Sequence, residues 1–510
     1  MKKNDKNHSG LLRIALVVVA VLLQLFMVGM LSLYLRQNYL LIFLVFELLA
    51  ITEVIYILSR NHYSAFSTSW IVIFLVSPVF GYILYLLWGN TRIKFKKAKM
   101  VRAIVMEQLK MFHHDEDARV SLFFKFPQRR RMVRFLEYEG FPLYNNTKSE
   151  YYSTGEELFD AMLEDLKKAQ KFIFMSYFII SQGELWQSIL DILKQKAASG
   201  VVVRVMFDDL GSILTVSKDF IKELNSYGID AVAFNPVHKY LSILYLNYRN
   251  HQKITVIDGS VAYTGGVNLA DEYANITEKL GYWKDNGIRL EGDAVYSMTI
   301  IFLQMWKAQT GQKEEYLKYK SDSIVKGDGF YQPFSDGPVN DPHNPAKDMY
   351  HQIIAAAKDY VYIMTPYLVI DDSLLTQLCA ASHSGVDVRI ITPKRWDKWY
   401  VHVVTRSNYS KLMDAGVSIY EYTPGFIHAK TILCDDDIAI VGTINMDYRS
   451  FYLHFENGVW LCGVPALRDI KKDIMHTVAC SEKITARQWK QRSLKEKAVQ
   501  VPLRLLGPLL

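Results

Sequence analysis

The chain has 510 residues, half of them hydrophobic and 13% aromatic, with a net charge of +7. That length holds two or three domains, and that apolar content excludes a mainly disordered or low-complexity chain. Cys379, Cys434, Cys462 and Cys480 stand far apart with no CxxC pair, which argues against a disulfide framework or a thiolate zinc site and fits a reducing compartment.

Residues 1–100 read as a membrane segment. The run 11–35 is apolar for roughly 25 residues, enough to cross a bilayer as a helix. Two more runs follow, 39–58 with Glu47 and Glu53, and 69–88 with Pro78 and Gly81. The expectation is a set of N-terminal transmembrane helices, with the two glutamates against another helix or near an interface. Arg92, Lys94, Lys96, Lys97, Lys99 and Arg102 come next and place the C-terminal part in the cytoplasm. Lys2, Lys3, Lys6 and Arg13 pull the N-terminus to the same side, so either that tail is external against its charge or one run does not cross. A second basic cluster, Lys125, Arg129, Arg130, Arg131 and Arg134, reads equally as a surface for anionic lipid or as solvated charge.

From about 150 the pattern becomes α/β. A helix at 155–169 precedes a buried strand at 172–180, and a helix at 184–200 precedes a strand at 201–207. The same order returns as helix 346–358, strand 361–370, helix 373–385 and strand 386–392. Gly200 and Gly385 each stop a helix before a V-x-V-R strand. Such alternation predicts mostly parallel sheets covered by helices. A Gly-, Pro- and Asp-rich stretch near 320–345 marks the seam between two duplicated halves packed about a pseudo-twofold axis. The expected organisation is a membrane segment at 1–100, halves at 101–325 and 326–482, and a basic tail at 483–510. The tail reads either as an interfacial helix around Trp489 or as a packed terminal helix.

The repeat carries the chemistry. The first half has His251, Lys253, Asp258, Gly266 and Asn268; the second has His428, Lys430, Asp435, Gly442 and Asn445. Both read H-x-K-x4-D, then an apolar stretch, then a turn of small residues before Asn. In H-x-K, His and Lys share one face of a strand because side chains alternate with period 2. Two imidazoles, two ammonium groups and two amides then meet across the axis. That inventory suits attack on a phosphodiester, with one His as nucleophile, the other as acid and the cations on the phosphoryl oxygens. The two Asp lie at the far ends of their strands, where fixing a loop is the competing role. There is no P-loop and no HExxH, the paired lysines supply charge that a metal supplies elsewhere, and no cofactor is expected. No extended basic stripe marks a nucleic-acid surface.

The double H-x-K-x4-D motif resembles the phospholipase D superfamily over about 145–480. Within it the chain is similar to bacterial cardiolipin synthases, in TPYLVIDDSLL, in GFIHAKTILCDDDIAIVGTINMDYRSFYLHFEN and in SPVFGYILYLLWG. The family's WRDTH stands here as Trp283-Lys284-Asp285-Asn286-Gly287, keeping only the Trp and Asp, which puts its substrate contacts in question. The resemblance implies transfer of a phosphatidyl group between two phosphatidylglycerols, giving cardiolipin and glycerol through a phosphohistidine on His251. A phospholipase D-type hydrolase or another phosphatidyltransferase is the alternative. It also implies a carboxylate behind each histidine, by position Glu456 for His428 and Asp285 for His251, with Asn268 and Asn445 on the phosphate. The implied partners are phosphatidylglycerol and cardiolipin in an anionic bilayer, at the bacterial cell membrane with a cytoplasmic catalytic part.

Overall fold

The structure is a computed structural model that describes residues 39–59, 64–85, 89, 95–109, 115–237, 247–322, 325–340 and 343–509. The chain divides into two units, Met1–Phe95 with Pro502–Leu510, and Lys96–Val501.

In the first unit the run 11–35 lies outside the described residues, and the run 39–58 forms the helix Tyr39–Ser59. The run 69–88 is not one helix. Ser64–Val76 ends at Ser77, and Pro78–Leu84 starts afresh, because a proline has no N–H to give and pushes the preceding residue out of the α region. Among the described residues no helix is long and apolar enough to cross a membrane, so the expected transmembrane helices are not found there. Ala50, Ile57, Trp70, Phe74 and Tyr85 form a small core that Leu509 packs against. The Ser69 hydroxyl donates to the Leu505 carbonyl at 2.6 Å. Leu48, Ile55, Leu58, Leu75 and Val76 are 60–80% exposed.

The second unit holds a seven-stranded sheet, a nine-stranded sheet and two two-stranded pairs, built from strands of both halves of the chain. The first half supplies β1 (Thr147–Tyr152), β2 (Phe172–Tyr177), β3 (Val202–Asp208), β4 (Asp230–Phe234), β5 (Arg249–Asn250), β6 (Ile254–Ile257), β7 (Val261–Gly265), β8 (Tyr282–Lys284) and β9 (Gly287–Gly292). The second half supplies β10 (Phe330–Asp336), β11 (Tyr360–Met364), β12 (Leu368–Val369), β13 (Asp387–Pro393), β14 (Ser418–Tyr422), β15 (Gly425–Ile427), β16 (Thr431–Cys434), β17 (Ile438–Gly442), β18 (Met446–Asp447), β19 (His454–Cys462) and β20 (Ser481–Lys483). The two-stranded pairs are β12-β18 and β8-β15, and the orders of the larger sheets are β1-β9-β7-β6-β2-β3-β4 and β10-β19-β17-β16-β11-β13-β14-β20. Position by position they match, with β20 as an added edge. Along these orders each sheet is parallel only across β2-β3-β4 or β11-β13-β14 and antiparallel elsewhere, β5 adding a parallel pair off the path on β19. The expectation of mostly parallel sheets is therefore corrected to mixed ones. The helices Gly155–Lys168, Glu184–Ala198, Pro345–Ala356 and Asp372–His383 fall between strands of the parallel parts or just before them, whereas the motif strands β6-β7 and β16-β17 are hairpins. Gly200 and Gly385 end their helices at φ +91°, the left-handed conformation a glycine tolerates.

The helix Val295–Thr310 is buried on every side from Val295 to Trp306. Its Ile301 and Phe302 share one core with Phe174 of the first sheet and with Leu433 and Leu461 of the second. The tail is not free: Trp489 is buried, its ring 5.1 Å from that of Tyr409 and capped by the Arg492 guanidinium at 3.2 Å. Of the two readings of the tail, the packed one holds around Trp489. Arg129 of the second basic cluster is buried too, 2.7 Å from Asp437 and 3.3 Å from Asp435, so it braces the fold and faces no lipid.

Candidate active site

Two short parallel ladders bring the halves together. In one, β5 runs beside the start of β19 with Arg249 opposite His454 and Asn250 opposite Phe455. In the other, β8 runs beside β15 with Lys284 opposite Ile427. Each ladder continues by one backbone hydrogen bond, from His251 N–H to the Phe455 carbonyl at 2.9 Å and from His428 N–H to the Lys284 carbonyl at 2.7 Å. The next register positions are therefore His251 with Glu456, and His428 with Asp285. His251 Nδ1 lies 2.9 Å from both Glu456 oxygens, and His428 Nδ1 lies 2.7 Å from Asp285 Oδ2. The pairing expected from sequence is thus reversed. Each carboxylate serves the histidine of the other half, because the ladders that align them cross the seam. A buried ion pair, Arg249 Nε to Asp208 Oδ1 at 2.9 Å, fixes the approach to His251.

All four motif cations and bases are buried: His251 and His428 at 6% exposure, Lys253 and Lys430 at 1%. Lys253 Nζ donates to the His251 carbonyl at 2.8 Å. Lys430 Nζ donates to the His428 carbonyl and stands 2.8 Å from His428 Nδ1. Burial pushes His428 down to about 4, helped by Lys430 and opposed by Asp285. Burial, with Lys253 and Lys430 beside it, holds His251 well below the usual imidazole range. Both rings are neutral at physiological pH. Burial also lowers Lys253 to about 7 and Lys430 to about 8. Lys430 adds to the lowering of Lys253, while Asp285 and Glu456 act in the opposite direction on both lysines.

The remaining expected residues divide. Asn268 accepts from Ile179 N–H at 3.0 Å and donates to the Tyr273 hydroxyl at 2.8 Å, while Asn445 Oδ1 is buried with no partner. Asp258 and Asp435 do not enter the site. Asp258 takes the N–H groups of Gln170, Lys171 and Phe172 at 2.7–2.9 Å, and Asp435 takes those of Lys358, Asp359 and Tyr360 at 2.9–3.0 Å. Each caps a strand start from a hairpin turn at φ 53° or 51°, so the catalytic placement read from the motif is corrected to a structural one. Lys284 Nζ reaches Asp473 at 2.9 Å, and Asn286 Nδ2 reaches the Thr431 hydroxyl at 2.6 Å, so the altered residues around Asp285 build the seam.

Sequence reading missed several neighbours. Thr443 gives its hydroxyl to Glu456 Oε2. It occupies the place of Gly266, where a Cβ would stand 1.9 Å from Asp285 Oδ1. Aligning the two repeats exposes that exchange. Trp283 and Tyr273 pack on His428 at 5.6 and 5.3 Å, and Phe178 packs edge-on to His251 at 5.0 Å. His454, two residues before Glu456 and so on the same side of its strand, was legible from alternation alone. Among the described residues His251, His454 and Glu456 form the group able to hold a metal, with ligand atoms within 4.8 Å of one another. Lys253 and Lys430 act on the same His251 and disfavour a cation there.

Comparisons agree with this geometry. The family model "Cardiolipin synthase, PLD-like domain" matches residues 162–306 and 350–477. A cardiolipin synthase 2 of Bacillus cereus is 36% identical over 457 residues, 88% of each chain. A cardiolipin synthase of Alkalihalophilus pseudofirmus is 34% identical over 98% of each. An uncharacterized Streptococcus mutans protein is 39% identical over 90% of this chain and all of its own. Among solved structures, the phosphatidylserine synthase of Haemophilus influenzae shares the fold, with a TM-score of 0.56 at 16% identity over 74% of this chain and 98% of its own. With two crossed histidine–carboxylate pairs in matched sheets, and relatives of this closeness along nearly the whole length, the chain belongs to the phospholipase D-like cardiolipin synthase family.

Proposed function

We propose that the protein is a cardiolipin synthase that moves a phosphatidyl group from one phosphatidylglycerol to a headgroup hydroxyl of another. The observation that carries this is the pair of buried histidines, each backed by a carboxylate and flanked by a lysine. Entry of the phosphodiester anion raises the pKa values of Lys253, Lys430 and His428, so the acid is charged when it is needed. His251 Nε2 attacks phosphorus, the bond to the glycerol oxygen breaks, and His428 gives that oxygen a proton. The second phosphatidylglycerol then loses its hydroxyl proton to His428 and attacks, the P–N bond breaks, and His251 is released. Lys253, Lys430 and Asn445 hold the phosphoryl oxygens, with Asn268 locked to its neighbours. One phosphodiester replaces another, so no nucleotide enters. The matched strand orders and the reciprocal ladders support a duplication about a pseudo-twofold axis.

The substrate is bilayer-borne in this reading. The loop after β13 exposes Trp396 and Trp399 at about half of their surface, among Lys394, Arg395 and Lys398. The loop after β3, at the matching place in the first half, exposes Ile213 and Leu214. Amphipathic aromatics beside cations suit the headgroup region of an anionic membrane. The exposed Leu48, Ile55, Leu58, Leu75 and Val76 support anchoring in a bilayer, with the catalytic part on the cytoplasmic face.

The decisive experiment supplies the full chain in liposomes with phosphatidylglycerol alone in excess chelator. Cardiolipin with one glycerol per turnover is the expected result. Phosphatidic acid in its place makes the protein a hydrolase, and activity restored only by a divalent ion overturns the metal-free reading.

A further inference from the structure

His454 is a third imidazole at the site, and the transfer above leaves it without a task. It is buried at 8% exposure, its ring 5.5 Å from that of His251 and 6.3 Å from that of Phe178. Arg449 Nε donates to His454 Nε2 at 3.2 Å. An arginine only donates, so Nε2 is the acceptor and the ring proton sits on Nδ1. Among the described residues that N–H has no hydrogen-bond partner, and it stands 3.8 Å from Glu456 Oε1, too far for a bond. Glu456 already takes the Nδ1–H of His251 and the Thr443 hydroxyl. In the other half the same position is Trp283, and Asp285 takes only His428 and the Asn286 N–H at 3.0 Å.

We propose that His454 is a positioning residue for the first histidine, closing its Nδ1–H onto Glu456 during transfer so that this carboxylate cannot remove the Nδ1 proton of His251. The inference rests on the phosphohistidine chemistry proposed above. A phosphoryl group on Nε2 of a ring that keeps its Nδ1 proton is a cationic phosphoimidazolium, whose neutral imidazole leaves readily. A ring that has lost the proton would leave as an anion, and the intermediate would persist. Three donors then share one buried carboxylate, each competing for the lone pairs that would otherwise take the His251 proton. The arrangement therefore keeps the intermediate reactive toward a lipid hydroxyl. Burial pushes His454 down to about 3, so it acts as a neutral donor and not as a charge. The groups acting on it are Glu456, Arg449 and His251; those acting on His251 are Lys253, Lys430, His428 and Lys398.

The test follows the adduct directly. Full-length protein in liposomes is loaded with a labelled short-chain phosphatidyl donor carrying a good leaving group, quenched in alkali, and chased with phosphatidylglycerol. His454→Phe keeps a ring of similar size and removes the donor. It should form the adduct at nearly the normal rate and discharge it ~10–50-fold more slowly, the size of one charge-assisted hydrogen bond. His454→Gln, which restores an N–H, should recover most of the discharge rate. Arg449→Met frees the tautomer while leaving the ring, and should slow discharge several-fold. The acid limb of kcat/KM should move to higher pH in His454→Phe, since a carboxylate with one donor fewer favours the charged form of the His251 ring more strongly. Normal discharge in both His454→Phe and Arg449→Met overturns the proposal, and so does equal slowing in His454→Phe and His454→Gln. If His454→Phe does not fold, Arg449→Met decides alone. No adduct in the wild-type protein overturns the covalent mechanism and this inference together, whereas a wild-type adduct with unaltered variants overturns only the role of His454.

Discussion

The two halves lay down the same strands in the same order, yet their histidines sit in different chemistry. His251 is backed by a glutamate, which Thr443 also serves, and has His454 and Phe178 as ring neighbours. His428 is backed by a shorter aspartate, whose place beside the backbone needs Gly266, and is walled by Trp283, Tyr273 and Phe426. Lys430 stands against its own histidine's ring, whereas Lys253 donates to its histidine's backbone carbonyl and lies over the Phe178 ring. A duplicated fold thus supplies two of each group, and single substitutions around each copy make them unlike. A two-step transfer needs that inequality, since one ring must bond to phosphorus while the other moves protons.

The hardest way to break the comparison is to remove either ring. His251→Ala and His428→Ala should each lose ~10⁴-fold or more of cardiolipin synthesis, because both rings serve both steps. They part when the donor carries a good leaving group. His428→Ala should then still form an acid-labile, alkali-stable adduct, and His251→Ala should form none. Adduct on His428 in the His251→Ala protein would reverse the roles.

A smaller effect tests the crossing of carboxylates. Glu456→Gln and Asp285→Asn should each cost ~10²–10³-fold, the scale seen when a base loses its orienting carboxylate. With the good leaving group, Asp285→Asn should load the protein nearly normally, and Glu456→Gln should load it slowly. The opposite result restores the pairing that chain position alone suggests. That pairing failed for a physical reason. H-x-K, period-2 alternation and the repeat place His and Lys on one strand face, and all of this is local. Which carboxylate meets which ring depends on two parallel ladders between segments 143 and 205 residues apart along the chain, and no local pattern encodes that. Arg129 misled in the same way, a surface-looking cluster member drawn inward by Asp437 from across the unit. The Asp258 and Asp435 positions were ambiguous in sequence because a strand-end turn carboxylate and a catalytic one share the same spacing.

Those two aspartates give a comparison in stability. Each satisfies three backbone N–H groups, so Asp258→Ala and Asp435→Ala should destabilise by ~2–4 kcal/mol, measured by urea unfolding, with turnover per folded molecule within about twofold of normal. Asp435→Ala should cost the more, since Arg129 Nη2 also leans on that carboxylate at 3.3 Å and is buried. Loss of turnover in well-folded Asp258→Ala would return the residue to the catalytic set.

The gentlest probe separates the two lysines. Burial lowers Lys253 to about 7, with Glu456 raising it and Lys430 lowering it. Burial lowers Lys430 only to about 8, because Asp285, Glu456, Asp447 and Asp397 all support its charge. Both are ammonium groups below pH 7 and both are largely amines above pH 8, so affinity for an anion must fall as pH rises through that window. Sulfate keeps its charge from pH 5 to 9 and reports the protein alone. Its inhibition constant should weaken ~10-fold or more between pH 6.5 and 9, with two inflections. Lys253→Met should leave the upper inflection and Lys430→Met the lower. A flat profile would mean that the lysines stay charged in the empty site, and the substrate would then meet a cradle already set instead of one that takes up protons as the phosphodiester arrives.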